Sequence, residues 1–205
     1  MAKAAPIRSL KMLRIAEDRC TRCTLYKYAT QVVAGEGPAR ARILLVGEQP
    51  GDREDRKGKP FIGPAGRVLN EALADAGIER SVTFVTNAVK HFKFEQRGKR
   101  RLHKRPTAYE IDRCNWWLEL ERELVKPEIL VAFGATAVRS LSGRPLAINK
   151  IRGRIVKLAD GSRMLATIHP SYLLRIKDDA DKRAQYKRFV ADLKICAKAL
   201  AKSAS

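Results

Sequence analysis

Three short apolar runs constrain this chain more than any other feature: Arg42-Ile43-Leu44-Leu45-Val46, Val82-Thr83-Phe84-Val85-Thr86 and Glu128-Ile129-Leu130-Val131-Ala132-Phe133, each followed at once by Gly or Asn. Such runs, rich in β-branched residues and without polar alternation, suit strands buried on both faces, as in a parallel sheet covered by helices. Helical periodicity fills the intervals. Val68, Leu69, Ala72, Leu73 and Ala76 recur on one face of Gly63 to Ala76, with Gly77 as a C-terminal stop. Thr107, with Glu110 three residues later, predicts a capping box for a helix running through Trp116-Trp117 to Val125. Right-handed crossovers then give an α/β fold: three layers, α/β/α, around a central, mainly parallel, roughly four-stranded sheet.

Beyond the third strand, Arg152 to Leu158 and Arg163 to Ile168 flank Asp160-Gly161 and predict a hairpin-like excursion that ends on the last core strand. Asp179 to Ala201 repeats Ala, Leu, Val and Ile at helical spacing and predicts a closing helix. A chain of 205 residues with 45% hydrophobic content supports one well-buried core, so 1–205 reads as a single domain. Within it, 90–106 reads as a long basic loop whose densest part is Arg97 to Arg105.

The formal net charge of +20 exceeds what solubility requires and points to a polyanion, with nucleic acid foremost. Met1 to Leu10 is basic without the apolar centre of a secretory signal, and no stretch has transmembrane length, which predicts a cytoplasmic protein. The four cysteines are therefore expected to be reduced. A monomer is expected, with no obligate protein partner.

In an open parallel sheet, ligands sit beyond the carboxyl ends of the strands, so the loops after Val46, Thr86, Phe133 and Ile168 should converge on one crevice. The first is Gly47-Glu48-Gln49-Pro50-Gly51, where two glycines frame a carboxylate and an amide and permit close approach of a substrate. The last is His169-Pro170-Ser171, where proline stiffens the backbone beside a possible hydrogen-bond donor. Taken singly, the first is also a plain strand-to-loop turn and the second a helix cap.

Together with Phe61-Ile62-Gly63-Pro64-Ala65-Gly66 and Thr86-Asn87-Ala88-Val89-Lys90, these loops resemble the iron–sulfur uracil-DNA glycosylases, from about Cys20 to Arg175. Gly98-Lys99-Arg100-Arg101-Leu102-His103 resembles the loop that marks UdgX, the branch that becomes covalently linked to DNA after removing uracil. Leu102 stands where that branch typically has isoleucine, an aliphatic exchange that should leave the chemistry of His103 intact.

The resemblance implies roles for particular residues. Phe61 would stack on a flipped uracil, Asn87 would read its edge, and Gly47, Gly51 and Ser171 would complete the substrate site. His169 would stabilise charge on the uracil oxygen. His103 would attack the sugar C1′, with Glu48, or Gln49 beside it, orienting the imidazole or offsetting its positive charge. Lys99, Arg100, Arg101, Lys104 and Arg105 would neutralise phosphates of a uracil-containing, preferentially single-stranded DNA.

Cys20-Thr21-Arg22-Cys23 has the two-residue gap of thiolates that share a metal. In the resembled glycosylases four cysteines hold a [4Fe–4S] cluster, and the position after Asn-Ala-Val-Lys is occupied here by His91. The expected ligands are Cys20, Cys23, His91 and Cys114, with Cys196 the alternative to His91 and zinc the alternative metal. Two other functions remain open at this level: a glycosylase that turns over by using water, and a basic nucleic-acid-binding module without catalysis.

Overall fold

The computed structural model describes residues 6–201. Residues 1–5 and 202–205, the ends of the domain expected over 1–205 and part of the Met1 to Leu10 stretch, lie outside the described residues. The described residues begin with helix α1 (Leu10–Glu17), followed by strand β1 (Ile43–Gly47), a short α2 (Asp52–Lys57), α3 (Pro64–Asp75) and β2 (Thr83–Asn87). A hairpin of β3 (Phe94–Arg97) and β4 (Arg100–His103) leads into α4 (Ala108–Val125), β5 (Ile129–Phe133) and α5 (Gly134–Ser142). Then come α6 (Ile148–Ile151), β6 (Ile155–Lys157), β7 (Arg163–Thr167), α7 (Pro170–Leu173) and α8 (Asp179–Ala201).

Among the described residues the main sheet has five strands in the order β2-β1-β5-β7-β6, one more than expected. The four long strands pair parallel, and β6 adds an antiparallel edge through the Asp160-Gly161 turn. The expected hairpin thus contributes both of its strands, because a tight two-stranded turn can extend a parallel sheet only by antiparallel pairing.

Strand period two divides the core. Ile43, Leu45, Val85, Ile129, Val131 and Leu165 meet Leu69 and Leu73 of α3 and Phe189 and Leu193 of α8. The alternate residues Leu44, Val46, Phe84, Leu130 and Ala132 meet Leu118 of α4 and Val138 of α5. Both faces are covered, which explains why the strands read as continuous apolar runs.

The capping box on α4 is present: Thr107 Oγ1 accepts from Glu110 N (3.3 Å), and Glu110 Oε2 accepts from Thr107 N (2.6 Å). The expected basic loop is the β3–β4 hairpin, registered Phe94 to His103 and Arg97 to Arg100 and turned by Gly98 at φ 59°. Basic composition hid the strands, since a two-stranded ribbon carries no buried face to impose alternation. The carboxyl ends of β1, β2, β5 and β7 open on one side, with this hairpin beside them.

Candidate active site

A pocket of ≈ 590 Å³ lies at that end, lined among others by Glu48, Phe61, Asn87, His103 and His169. Its floor depends on glycine. A Cβ on Gly47 would stand 2.3 Å from Asn87 Oδ1 and 2.7 Å from the Phe61 ring, so only glycine lets these side chains meet there. Phe61 adopts φ 54°, rare for a bulky residue, and its carbonyl lies 1.6 Å from where a Cβ on Gly66 would be. The Phe61 ring is 5.9 Å from the ring of His169, stacked, and 6.1 Å edge-on from Phe133.

Asn87 closes β2 and is buried, and its carbonyl accepts from Lys90 Nζ (3.0 Å). Lys90 is itself wholly buried and paired with Glu121 Oε2 at 2.6 Å. The loop that presents Asn87 is therefore held from beneath by a buried ion pair.

His169 caps α7. Its Nδ1 accepts from Ser171 N at 3.1 Å and faces Ser171 Oγ at 2.8 Å. The backbone donor assigns the neutral ring its proton on Nε2, leaving Nε2–H as a donor. Burial, reinforced by His103 and Arg175, lowers the His169 pKa to about 4, so the ring is neutral at physiological pH.

His103, at the end of β4 and half-exposed, places Nε2 3.5 Å from Glu48 Oε1. Glu48 Oε2 accepts from Thr136 Oγ1 at 2.6 Å and lies 4.0 Å from Arg105 Nε. Partial burial depresses the His103 pKa below the ordinary imidazole value against the opposing pull of Glu48. An imidazole unprotonated at neutral pH thus stands beside a carboxylate at the rim of an aromatic pocket, ready to act as a base or nucleophile.

The model of the Uracil DNA glycosylase superfamily matches residues 34–194, which contain every element of this pocket. The chain belongs to that superfamily. It is 37% identical over 177 residues to the type-4 uracil-DNA glycosylase of Thermotoga maritima, covering 84% of this chain and 88% of the relative. It is 31% identical to the type-4 uracil-DNA glycosylase of Archaeoglobus fulgidus, covering 76% and 78%. With that of Sulfurisphaera tokodaii it shares 32% identity over 71% and 66% of the two chains. Among the described residues, no helix of this uracil-DNA glycosylase superfamily member is long and apolar enough to cross a membrane.

Glu48, Phe61, Asn87, His103, His169, Gly51 and Ser171 all line the pocket as expected. Two expected residues serve other purposes. Gln49 also borders the pocket, but its amide is consumed by the hairpin: Nε2 donates to Lys93 O and Lys104 O, both at 3.1 Å, and Oε1 accepts from Lys93 N at 3.1 Å. It straps the hairpin to the first loop instead of orienting His103.

Arg101, expected on phosphate, points inward. It pairs with Asp52 Oδ1 at 2.5 Å and Asp55 Oδ2 at 2.6 Å, and its guanidinium lies over the rings of Phe92 and Phe94. With its donors so engaged, its charge is spent on anchoring the hairpin. Lys99, Arg100, Lys104 and Arg105 stay exposed.

Cys20, Cys23 and Cys114 share one buried cluster with Leu13, Val89 and Trp117. Trp117 Nε1 donates to Cys20 Sγ (3.0 Å) and Lys90 N to Cys114 Sγ (3.2 Å), the kind of N–H support that cluster thiolates receive. The donor chemistry therefore fits an iron–sulfur centre at three positions. His91 is buried, with Asp55 as the charge acting on it, and among the described residues no group of three or more His, Cys, Asp or Glu is closed into metal-holding geometry. The expected four-ligand set is thus not assembled. Cys196 is no substitute, since it lies in the core on the α3–α8 face of the sheet.

Thr136, Glu54 and Arg175 also line or support the pocket and were not anticipated. Thr136 follows the β5 strand end, where the converging-loop rule pointed. Glu54, buried and accepting from Gly63 N at 2.7 Å, ties the Glu48 loop to the Phe61 loop and carries no signal in the sequence.

Proposed function

We propose that the protein excises uracil from DNA and becomes joined to the resulting sugar through His103, acting once per molecule. The observation that carries this reading is the seat of His103, 3.5 Å from Glu48 at the rim of the pocket that holds Phe61, Asn87 and His169. A uracil rotated out of its stack would lie on Phe61, meet the Asn87 amide at its edge and approach the backbone at Gly47 and Gly51. The Nε2–H of His169, kept in that tautomer by Ser171, is a donor for the uracil oxygen on which negative charge develops.

As the C1′–N1 bond breaks, its electron pair leaves with uracil. The unprotonated nitrogen of His103 gives its lone pair to C1′, and the ring proton it then loses balances the charge taken by the base. Glu48, fixed by Thr136, orients the imidazole and offsets its transient positive charge. The names of the relatives support the excision half of this reading; the Lys99-Arg100-Arg101-Leu102-His103 loop supports the capture half.

Lys99, Arg100, Lys104 and Arg105 neighbour His103 along the chain, stay exposed and suit the phosphates beside the flipped nucleotide, with Lys104 shared with Glu95 at 3.1 Å. A single strand is the preferred substrate, because an unpaired base costs least to turn outward. Cys20, Cys23 and Cys114, with His91 as the fourth donor by its position after Lys90, are proposed to hold a [4Fe–4S] cluster. Its contribution when bound is a cross-link between the amino-terminal segment and α4.

Incubation with a uracil-containing single strand, followed by denaturing electrophoresis, tests the proposal. Released uracil together with a denaturation-resistant adduct is expected. Release over many turnovers without an adduct would hand capture to water, and intact uracil after contact with metal-loaded protein would reduce the chain to a binding module.

A further inference from the structure

We infer that the exposed stripe Tyr109, Arg113 and Trp116 of α4, together with Arg22, forms a second nucleic-acid subsite, a track for the single strand flanking the nucleotide in the pocket. This rests on the excision reading for its substrate, though not for its geometry. Positions 109, 113 and 116 fall at i, i+4 and i+7 and share one face of α4. Ile111, Cys114, Trp117 and Leu118 occupy the buried face, whereas Tyr109 is 61% and Trp116 42% exposed. Exposed aromatics at regular spacing on a cationic surface suit the stacking of unpaired bases, which present a π face whatever their sequence.

The arginines are held in place. Arg22 lies over the Trp116 ring, 4.5 Å from its centroid. Arg22 Nε donates to Arg113 O at 3.2 Å, and Arg113 Nε donates to Arg22 O at 3.2 Å. Both guanidinium groups are thus anchored through Nε. Among the described residues, neither forms an ion pair with a carboxylate. The neighbouring acids are already engaged: Asp112 by Arg139 at 3.0 Å, Glu119 by Arg122 at 2.8 Å and Glu110 by Lys93 at 2.8 Å. A planar guanidinium supported on tryptophan offers a stacking surface and phosphate donors together.

The chain joins the stripe to the rim of the pocket. Arg105, 4.0 Å from Glu48, leads through Thr107 directly into α4, and Tyr109 lies in its first turn. From Tyr109 to Trp116 the helix advances about 10 Å. The strand would leave the pocket past Arg105 and run along α4 toward Arg22 and Trp116.

The test uses the full chain and two readouts. In single-turnover uracil release, with protein in excess over DNA but below saturation, a strand just covering the pocket is compared with strands extended on one side or the other. Extension on one side should speed release, and Tyr109→Ala and Arg113→Gln should each remove that gain, roughly tenfold. Tyr109→Phe should restore it, and rates on the short strand should match the unsubstituted protein. No gain on either side, or equal losses on short and extended strands, would overturn the track. Anisotropy on uracil-free single strands reads the track separately: weakening by Tyr109→Ala supports it and unchanged affinity overturns it, even if no uracil is released and the excision reading itself fails.

Discussion

Glu48 Oε1 stands 3.5 Å from His103 Nε2, joining the end of the first strand to the end of the β3–β4 hairpin, while the other carboxylate oxygen is held by Thr136. Each residue of this pair comes from a different element, so its geometry depends on how the hairpin is docked. Replacing His103 by serine should abolish the adduct and leave uracil release, because the leaving base is served by His169 and Asn87. His169→Ala should instead lower release roughly 10²- to 10³-fold, the usual cost of one donor to developing negative charge. Quantifying free uracil and adduct in parallel separates the two effects.

The docking of the hairpin rests on Arg101 as well as on the Gln49 strap. Arg101→Met leaves the buried Asp55 carboxylate without its cation and should cost on the order of 3 kcal/mol, read as a lower midpoint in urea. Faster amide exchange confined to 94–104 should accompany it, together with slower adduct formation. A stability loss with unchanged exchange in the hairpin would contradict the anchoring role.

Acid should act on both histidines in the same direction. The folded pKa of His169, about 4, lies below its unfolded value near 6.5, so the unfolded chain binds the proton first. Stability from this group is therefore complete above the unfolded pKa and declines as pH falls toward the folded one, by up to about 3 kcal/mol. Denaturant titrations across that window should show the decline, and His169→Gln should flatten it. Adduct formation should also fall with acid as His103 protonates, with a midpoint below the ordinary imidazole value.

Gly47→Ala should destroy the pocket selectively. The new methyl would overlap Asn87 Oδ1 and the Phe61 ring, so uracil release should drop by at least about 10²-fold, as for other small misplacements of a reacting site. The far-ultraviolet circular dichroism should stay that of the parent protein. Full activity would mean that Phe61 and Asn87 do not act together.

The exposed cations should appear in salt dependence. Binding to a uracil-free single strand should weaken steeply with salt, and each of Lys99→Gln and Arg100→Gln should reduce the log–log slope by about 0.7, the value for one phosphate contact on a single strand. Arg101→Met should change the slope less than either, because its own charge is already paired within the protein.

The apolar runs at Ile43, Thr83 and Ile129 declared the parallel sheet because burial on both faces removes polar alternation, a local property of the chain. The Thr107 and Glu110 box was legible for the same reason: its two hydrogen bonds span only three residues. The loops after the strands, and hence Glu48, Asn87 and His169, followed from the rule that parallel strand ends face one way. The hairpin that supplies β6 was legible from its Asp160-Gly161 turn, whereas the pairing of β3 with β4 was not, since an exposed ribbon lacks a buried pattern.

Sequence by itself thus determined the fold class and the residues gathered at the strand ends, because both follow from periodicity and chain direction. Only the tertiary structure decided that Arg101 faces Asp52 and Asp55, that Gln49 straps the hairpin, and that Cys196 lies across the sheet from Cys20, Cys23 and Cys114. The reason is physical. Whether a cation meets phosphate or carboxylate, and whether a thiol meets other thiols or a core, depends on partners tens of residues away, which packing alone brings within reach.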